Sequence, residues 1–491
     1  MRLNLLLDEL AQKEVFGNLD AVDIQGIVYD PLRVKPGFLY VAITMYTQLD
    51  KIEIPDGHDV VLDAVHNGAV AVVLERDIEV PGPIIKIIVP SSRYALARLA
   101  NKFYDFPSHS MKLVGITGTN GKTTTTHIIE SIFKRNYHTG LIGTLYYKIN
   151  GQIYKSKDTT PEPPDLQEIF TRMKNEEVDF CTMEVSSHGI ELFRVEGLRF
   201  CVAVFTNLTQ DHLDFHKTME HYRQTKMKLF AWLSKDDYAV VNSDDPSAHY
   251  FIESADSKIL TYGLKNSADL TVQDIEITIK GMEFTLVTPI GSIRVKPKLV
   301  GKFNIYNILS AVGVAISQGI DLETIKLGLE DTIRVSGRFE LVDKGQPFSV
   351  VVDYAHTPDG IENVLNLARD LKPNRIITVF GCGGDRDKEK RPIMGKIVAD
   401  FSDYFVITSD NPRNEDPVDI AQQIKKGATH HRFTEIIDRK KAIEHAIKMA
   451  QPGDIIMLLG KGHETTQTLK HETIQFNDLE VAQEILSNYM K

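Results

Sequence analysis

Between an apolar run, Leu113 to Ile116, and a stretch with helical spacing, Ile128, Ile129, Ile132 and Phe133, the chain reads Thr117-Gly118-Thr119-Asn120-Gly121-Lys122-Thr123-Thr124-Thr125-Thr126. This order dictates local structure. A buried strand must run into a glycine-rich turn that opens a helix, so that backbone N–H groups and the positive end of the helix dipole converge on one anion. Lys122 adds a point charge and Thr123 a hydroxyl able to ligate Mg²⁺, which makes residues Gly118 to Thr124 a cradle for the phosphates of ATP. The pattern G-x-x-x-x-G-K-[ST] fails by one residue, because Ile116 stands where its first glycine belongs and the nearby glycines are Gly115 and Gly118. The loop is therefore a variant.

At 491 residues the chain outgrows one core and suits three domains of roughly 100–200 residues each. Apolar strands at 37–43, 69–74 and 84–89, with a helix at 94–104, predict a small α/β domain over residues 1–108. A central domain over 109–335 opens with the phosphate loop. There, strand runs at 179–183, 200–205 and 238–241 and a helix at 222–232 predict a mostly parallel sheet covered on both faces. Period-2 patterning over 269–300, with turn glycines Gly281 and Gly291, predicts appended antiparallel strands before a helix at 305–317 that Gly319 ends. Residues 336–491 form a Rossmann-like α/β domain, with strands at 349–352, 375–380, 404–408 and 454–459 and helices at 360–371, 418–428 and 440–450.

A formal net charge of -11 disfavours nucleic acid as a partner. Cys181, Cys201 and Cys382 lack metal-ligand spacing, and a disulfide framework is not expected. Met1 to Gln12 has no leader pattern and no run of 18 apolar residues occurs, so the expectation is a cytoplasmic protein without membrane insertion, and a monomer.

Strand after strand runs into a polar cluster, and in open parallel sheets ligands bind beyond the carboxyl ends of the strands. Glu184-Val185-Ser186-Ser187-His188 follows one strand; Asn207 and Asp211-His212 follow the next. Beside a phosphate loop, Glu184 and His212 are candidate Mg²⁺ ligands or positioners of a transferred phosphate. In the third domain the clusters are Asp353-Tyr354-Ala355-His356, Gly381 to Asp387, Asp410-Asn411-Pro412-Arg413 and Gly460-Lys461-Gly462-His463-Glu464. The Arg386 and Arg413 forks suit carboxylates and Glu464 suits an ammonium group, a combination fit for a zwitterionic amino acid.

Thr-Gly-Thr-Asn-Gly-Lys-Thr, Glu-Val-Ser-Ser-His, Thr-Asn-Leu-x-x-Asp-His-Leu-Asp, Gly-Lys-Phe-Asn-x-x-Asn, Gly-Arg-Phe-Glu and Asp-Tyr-Ala-His-Thr-Pro succeed one another from Thr117 to Pro358. Together they resemble the Mur ligase family of ATP-dependent amide-forming enzymes. The resemblance implies a ligase that adds meso-diaminopimelate to UDP-N-acetylmuramoyl-L-Ala-D-Glu through an acyl phosphate, in peptidoglycan precursor synthesis, with ATP and Mg²⁺. By that resemblance Arg386, Asp410, Asn411, Pro412, Arg413, Gly460 and Glu464 hold the diamino acid, and Thr159, Thr160, Ser186 and Arg194 hold the acceptor. Asn304, Asn307, Arg338 and Asp353 contact the nucleotide, Lys122, Glu184, His212 and Lys226 form the catalytic set, and a CO₂ adduct of Lys226 joins Thr123, Glu184 and His212 at the metal. In the first domain Asp30 is followed by Pro31 and Leu32, where family members commonly carry Ser and Arg, and the stretch from Met45 to Pro55 is longer than usual. A paralogue with another carboxylate acceptor or another amino acid such as L-lysine, and a ligase-derived binding protein without catalysis, remain alternatives at this stage.

Overall fold

In the computed structural model, which describes residues 1–19, 22–44, 56–279, 281–332, 336–430 and 432–489, the strand that enters the glycine-rich turn, Lys112–Thr117, lies inside an eight-stranded sheet. Its neighbours are Phe180–Glu184 on one side and Phe200–Phe205 on the other, both parallel to it. Tyr238–Asn242, Lys258–Tyr262 and Thr139–Ile142 extend the parallel part. Successive residues of these strands serve opposite faces, which is why the runs are apolar without alternation. Val114, Val202, Val204 and Val240 meet the helices Lys122–Phe133 and Lys302–Ser317. Leu113, Ala203, Phe205 and Val241 meet the helices Pro163–Asn175 and Met219–Ala231.

The predicted meander is present as Thr271–Thr278, Gly281–Thr288 and Gly291–Val295, antiparallel throughout, and its Phe284 and Leu286 close the first of these cores. The sequence reading passed over the hairpin Tyr146–Ile149 and Gln152–Lys155 at the sheet edge. Its turn, Asn150-Gly151, has φ of 46° and 88°, the left-handed pair that a tight two-residue hairpin favours, and the Asn-Gly step was its signal. The helix Pro163–Asn175 was also passed over, although a proline in its first turn announces it.

The first domain carries a five-stranded sheet, parallel except for Glu14–Phe16. Met45 to Pro55 lies outside the described residues. The third domain carries a six-stranded sheet, with Glu340–Val342 as an antiparallel edge beside Ser349–Asp353, and a separate hairpin of Thr466–Thr468 and Thr473–Gln475. Arg439, which opens the helix Arg439–Met449, is wholly buried and pairs at 2.6 Å with an equally buried Asp478, the first residue of the helix Asp478–Tyr489. The same guanidinium donates to the Leu459 carbonyl at 2.9 Å. The ion pair thus ties the last helix to the strand end that presents Gly460. No helix among the described residues is long and apolar enough to cross a membrane.

Candidate functional site

The carboxyl ends of the central and third sheets meet at one seam. Asn120 of the phosphate loop donates to Asp359 of the third domain at 2.8 Å, and Lys390 lies 3.8 Å from Asp211.

Within the loop, Gly118 and Gly121 take φ of 146° and 90°, which side chains rarely adopt. A Cβ on Gly118 would also overlap the Thr206 hydroxyl, and one on Gly121 the Asn307 amide. Asn207, at the adjacent strand end, clamps the loop: its carbonyl accepts from Thr119 N–H, its Oδ1 from Asn120 N–H, both at 2.9 Å. Lys122 donates to the Gly118 and Thr119 carbonyls at 2.9 and 2.8 Å. Burial pushes its ammonium below the ordinary lysine range, against the pull of Glu184 and Asp211. The Thr123 hydroxyl donates to Glu184 Oε1 at 3.0 Å, so the two oxygens proposed for Mg²⁺ are adjacent.

Lys226 is buried with its amine donating to Gly118 O at 3.0 Å. Burial, reinforced by the like charge of Lys122, drives its pKa well below the usual value. His212, in the left-handed region at φ 54°, sits 3.3 Å from Asp211 Oδ2 and edge-on to His188 at 4.7 Å. Burial would raise the Asp211 pKa, but His212 and Lys390 beside it prevail and hold it below the carboxylate range.

A cleft of about 640 Å³ runs from the loop into the third domain. Thr124, Asn307, Arg338 and Asp353 line it, whereas Asn304 lies behind, accepting from the Asn307 amide at 2.9 Å and donating to Val300 O at 2.8 Å. Asp353 accepts from the Phe339 and Ala355 N–H groups, both at 2.7 Å, and burial raises its pKa. The cleft also recruits Asp244, Tyr306 and Asp359, which sequence reading missed. Tyr306 donates to Asp244 at 2.8 Å, and Asp244 further accepts the Leu264, Lys265 and Asn266 N–H groups. No local pattern marks these residues; only the tertiary approach of distant segments does.

On the other flank of Glu184, Thr159, Thr160, Ser186 and Arg194 come together. Arg194 donates to Thr160 O at 2.8 Å and pairs with Glu162 at 2.8 Å. Glu162 is shared with Arg93 of the first domain, 3.4 Å away. Beyond them, Asp30 caps the short turn Pro31–Arg33 through Leu32 N–H. Leu32 is 87% exposed, while Arg33, the next residue, reaches Asp165 of the central domain at 2.6 Å. The guanidinium of this first-domain turn is thus spent on an interdomain bridge.

In the third domain Asn411 donates to Glu464 at 2.9 Å, and Lys461, fully buried, donates to Glu464 at 2.7 Å and to Thr466 O at 2.7 Å. Burial, and Asp410 nearby, raise the Glu464 pKa. Arg413 donates to Gly384 O at 2.8 Å; burial and the like charge of Arg413 bring the Arg386 pKa down to about 9. Both side chains approach Gly383, and their like charges repel. Their loops are joined by Glu415, which accepts from Arg391 twice at 2.9 Å and from Asp385 N–H at 2.6 Å. Asp385 and Arg413 both adopt positive φ, 52° and 51°, backbone strain of the kind that gathers at binding sites. Gly460 has its strand end beside Asp410, and Pro412 packs its carbonyl against Gly384.

The chain matches the model of the Mur ligase middle domain over residues 116–315 and that of the Mur ligase, glutamate ligase domain over residues 337–462. UDP-N-acetylmuramoyl-L-alanyl-D-glutamate--2,6-diaminopimelate ligase of Bacillus velezensis is 46% identical to it over 489 residues, 98% of each chain. A solved structure of a ligase with that name superposes at a TM-score of 0.68, with 32% identity over 99% of both chains. MurF ligase from Thermotoga maritima, solved in complex with ADP, has the same fold, at a TM-score of 0.65 and 18% identity over 94% of this chain and 97% of that one.

Proposed function

This chain belongs to the Mur ligase family, and we propose that it joins meso-diaminopimelate to the D-glutamate of UDP-N-acetylmuramoyl-L-Ala-D-Glu at the expense of ATP. The reading rests above all on one observation: a phosphate loop with Glu184 at its side lies across a single seam from strand-end loops that carry two arginines and a carboxylate. The domains divide the work as residues 1–108 for the UDP end of the acceptor, 109–335 for ATP and 336–491 for the amino acid.

The acceptor carboxylate takes the terminal phosphoryl group of ATP, because a free carboxylate is too poor an electrophile for an amine. Lys122 and the loop N–H groups meet the charge on that group as it moves. The diaminopimelate amine then attacks the acyl phosphate, and phosphate leaves. Arg386 and Arg413 hold a carboxylate of the diamino acid, with Glu464 and Asn411 on an ammonium group, so that the reacting amine is oriented. Asn120–Asp359 and Asp211–Lys390 draw the third domain over the loop, which keeps water from the acyl phosphate.

Mg²⁺ would be held by the Thr123 hydroxyl and the Glu184 carboxylate, with His212 and carbamylated Lys226 behind them, and would supply further charge neutralisation. Among the described residues no group of three or more His, Cys, Asp or Glu is arranged to hold a metal by itself. Mg²⁺ commonly takes one or two carboxylates and completes its shell with phosphate oxygens and water, so the hydroxyl and carboxylate at 3.0 Å suit it. The depressed pKa of Lys226 favours the neutral amine, the form that adds to CO₂ with loss of a proton to give a carbamate anion.

ADP release and product mass, measured with ATP, Mg²⁺, UDP-muramyl dipeptide and each candidate amino acid in turn, test this function. Release that requires meso-diaminopimelate is the expected result. Product formed with L-lysine alone, or with no acceptor of this class, would contradict it.

A further inference from the structure

Glu184 is gripped by Thr144, whose N–H donates to Oε1 at 2.9 Å and whose hydroxyl lies 3.1 Å from Oε2. Gly143 permits the grip, since a Cβ there would stand 2.5 Å from Oε1. A carboxylate only accepts, and a hydroxyl has one proton. The Thr144 proton is therefore committed to Glu184. Its oxygen is also 3.1 Å from the Thr159 hydroxyl, and in that contact Thr159 has to be the donor.

A second chain runs in the same sense. Thr160 donates to the Glu184 carbonyl at 2.9 Å, so across the 3.1 Å contact between the Thr160 and Ser186 hydroxyls the proton comes from Ser186. The Ser186 oxygen accepts from Gly189 N–H at 3.0 Å. Thr159 and Ser186, like Thr144, are half-buried, whereas Thr160 is buried. Thr159 and Ser186 both have their protons committed to a neighbouring hydroxyl, which leaves their oxygens as acceptors.

We infer that Thr144 is a positioning residue that fixes the polarity of the acceptor site, turning Thr159 into an acceptor for a peptide N–H of the acceptor, while Arg194 takes its anionic groups. The inference rests on the acceptor proposed above. With the Thr144 proton held by the Glu184 carboxylate and the Thr160 proton by the Glu184 carbonyl, Thr159 and Ser186 each give their own proton inward, and Thr159 does not present it to an oxyanion. The site thereby selects a peptide over an isosteric ester.

Calorimetric binding of UDP-muramyl dipeptide, without ATP or Mg²⁺, tests it alongside the KM of each substrate. Thr144→Val keeps the side-chain shape but removes the hydroxyl that receives the Thr159 proton. The Kd of the acceptor should rise about tenfold, with the KM of ATP and of diaminopimelate within about twofold, and Thr144→Ser should restore binding. Independently of any variant, an acceptor whose peptide N–H groups are replaced by ester oxygens should bind the wild-type protein about tenfold more weakly. Equal binding of amide and ester, or wild-type affinity in Thr144→Val, would overturn the polarity while leaving the acceptor assignment standing. A wild-type protein that binds no UDP-muramyl dipeptide would overturn the acceptor assignment and this inference with it.

Discussion

At the glycine-rich loop the groups on offer are backbone: glycines at positive φ, N–H groups aimed by a helix start, and one lysine folded over its own carbonyls. Across the seam, in the third domain, the groups on offer are side chains, and further side chains brace them from beneath. Glu415 and Arg391 brace the arginine loops, and Asp478 braces Arg439 behind Gly460. On the proposed function, the difference follows from what each site reads. A triphosphate is an anion of fixed shape that any donor cradle fits, whereas an amino acid with charges of both signs needs cations and anions placed separately. Damage to the loop should therefore remove turnover with little loss of fold, and damage to the third site should act on one substrate or on stability.

The largest effect is expected from Lys122→Ala, which should lower kcat by roughly a thousandfold while the circular dichroism spectrum and melting temperature stay near those of the wild type. An unchanged rate of ADP release would remove the loop from catalysis. Asp478→Ala, at the other pole, should cost about 3–5 kcal/mol in urea unfolding, because it leaves Arg439 charged and buried without its counter-ion. Arg413→Ala should raise the KM for diaminopimelate about thirtyfold and leave that for ATP within about twofold; equal shifts in both would erase the contrast.

Glu415 gives the comparison a pH signature. Hydrogen bonds from Arg391 hold its pKa down to about 2, against about 4.3 in an unfolded chain. A depressed folded pKa contributes stability above the unfolded value and loses it as pH falls toward the folded one. The gap in urea midpoint between wild type and Glu415→Gln should therefore narrow from about pH 5 downward, and a gap that stayed constant would deny the Arg391 bond its role. Leu32→Ser, on an exposed turn away from both sites, should change stability by no more than about 0.5 kcal/mol.

Sequence made the local features readable. Lys122 and Thr123 stand in a contiguous motif, and Glu184, Asp353 and the Asp410 to Arg413 cluster each follow an apolar run that could only be a strand. Residues whose task comes from distant segments were silent: Asp359 meets Asn120 from 239 positions away, and Thr144 meets Glu184 from 40. Arg33, one position beyond Leu32, is engaged with Asp165 of the central domain, a pairing that only the tertiary structure reveals. The Asn150-Gly151 hairpin was legible and was passed over.

The account's central claim is that two strand-end sites cooperate to activate a carboxylate before an amine captures it. Acceptor labelled with ¹⁸O in its D-glutamyl carboxylate tests this directly. Each turnover with diaminopimelate should deliver one labelled oxygen into inorganic phosphate, carried there by the acyl phosphate as it breaks; amide product accompanied by unlabelled phosphate would contradict the claim.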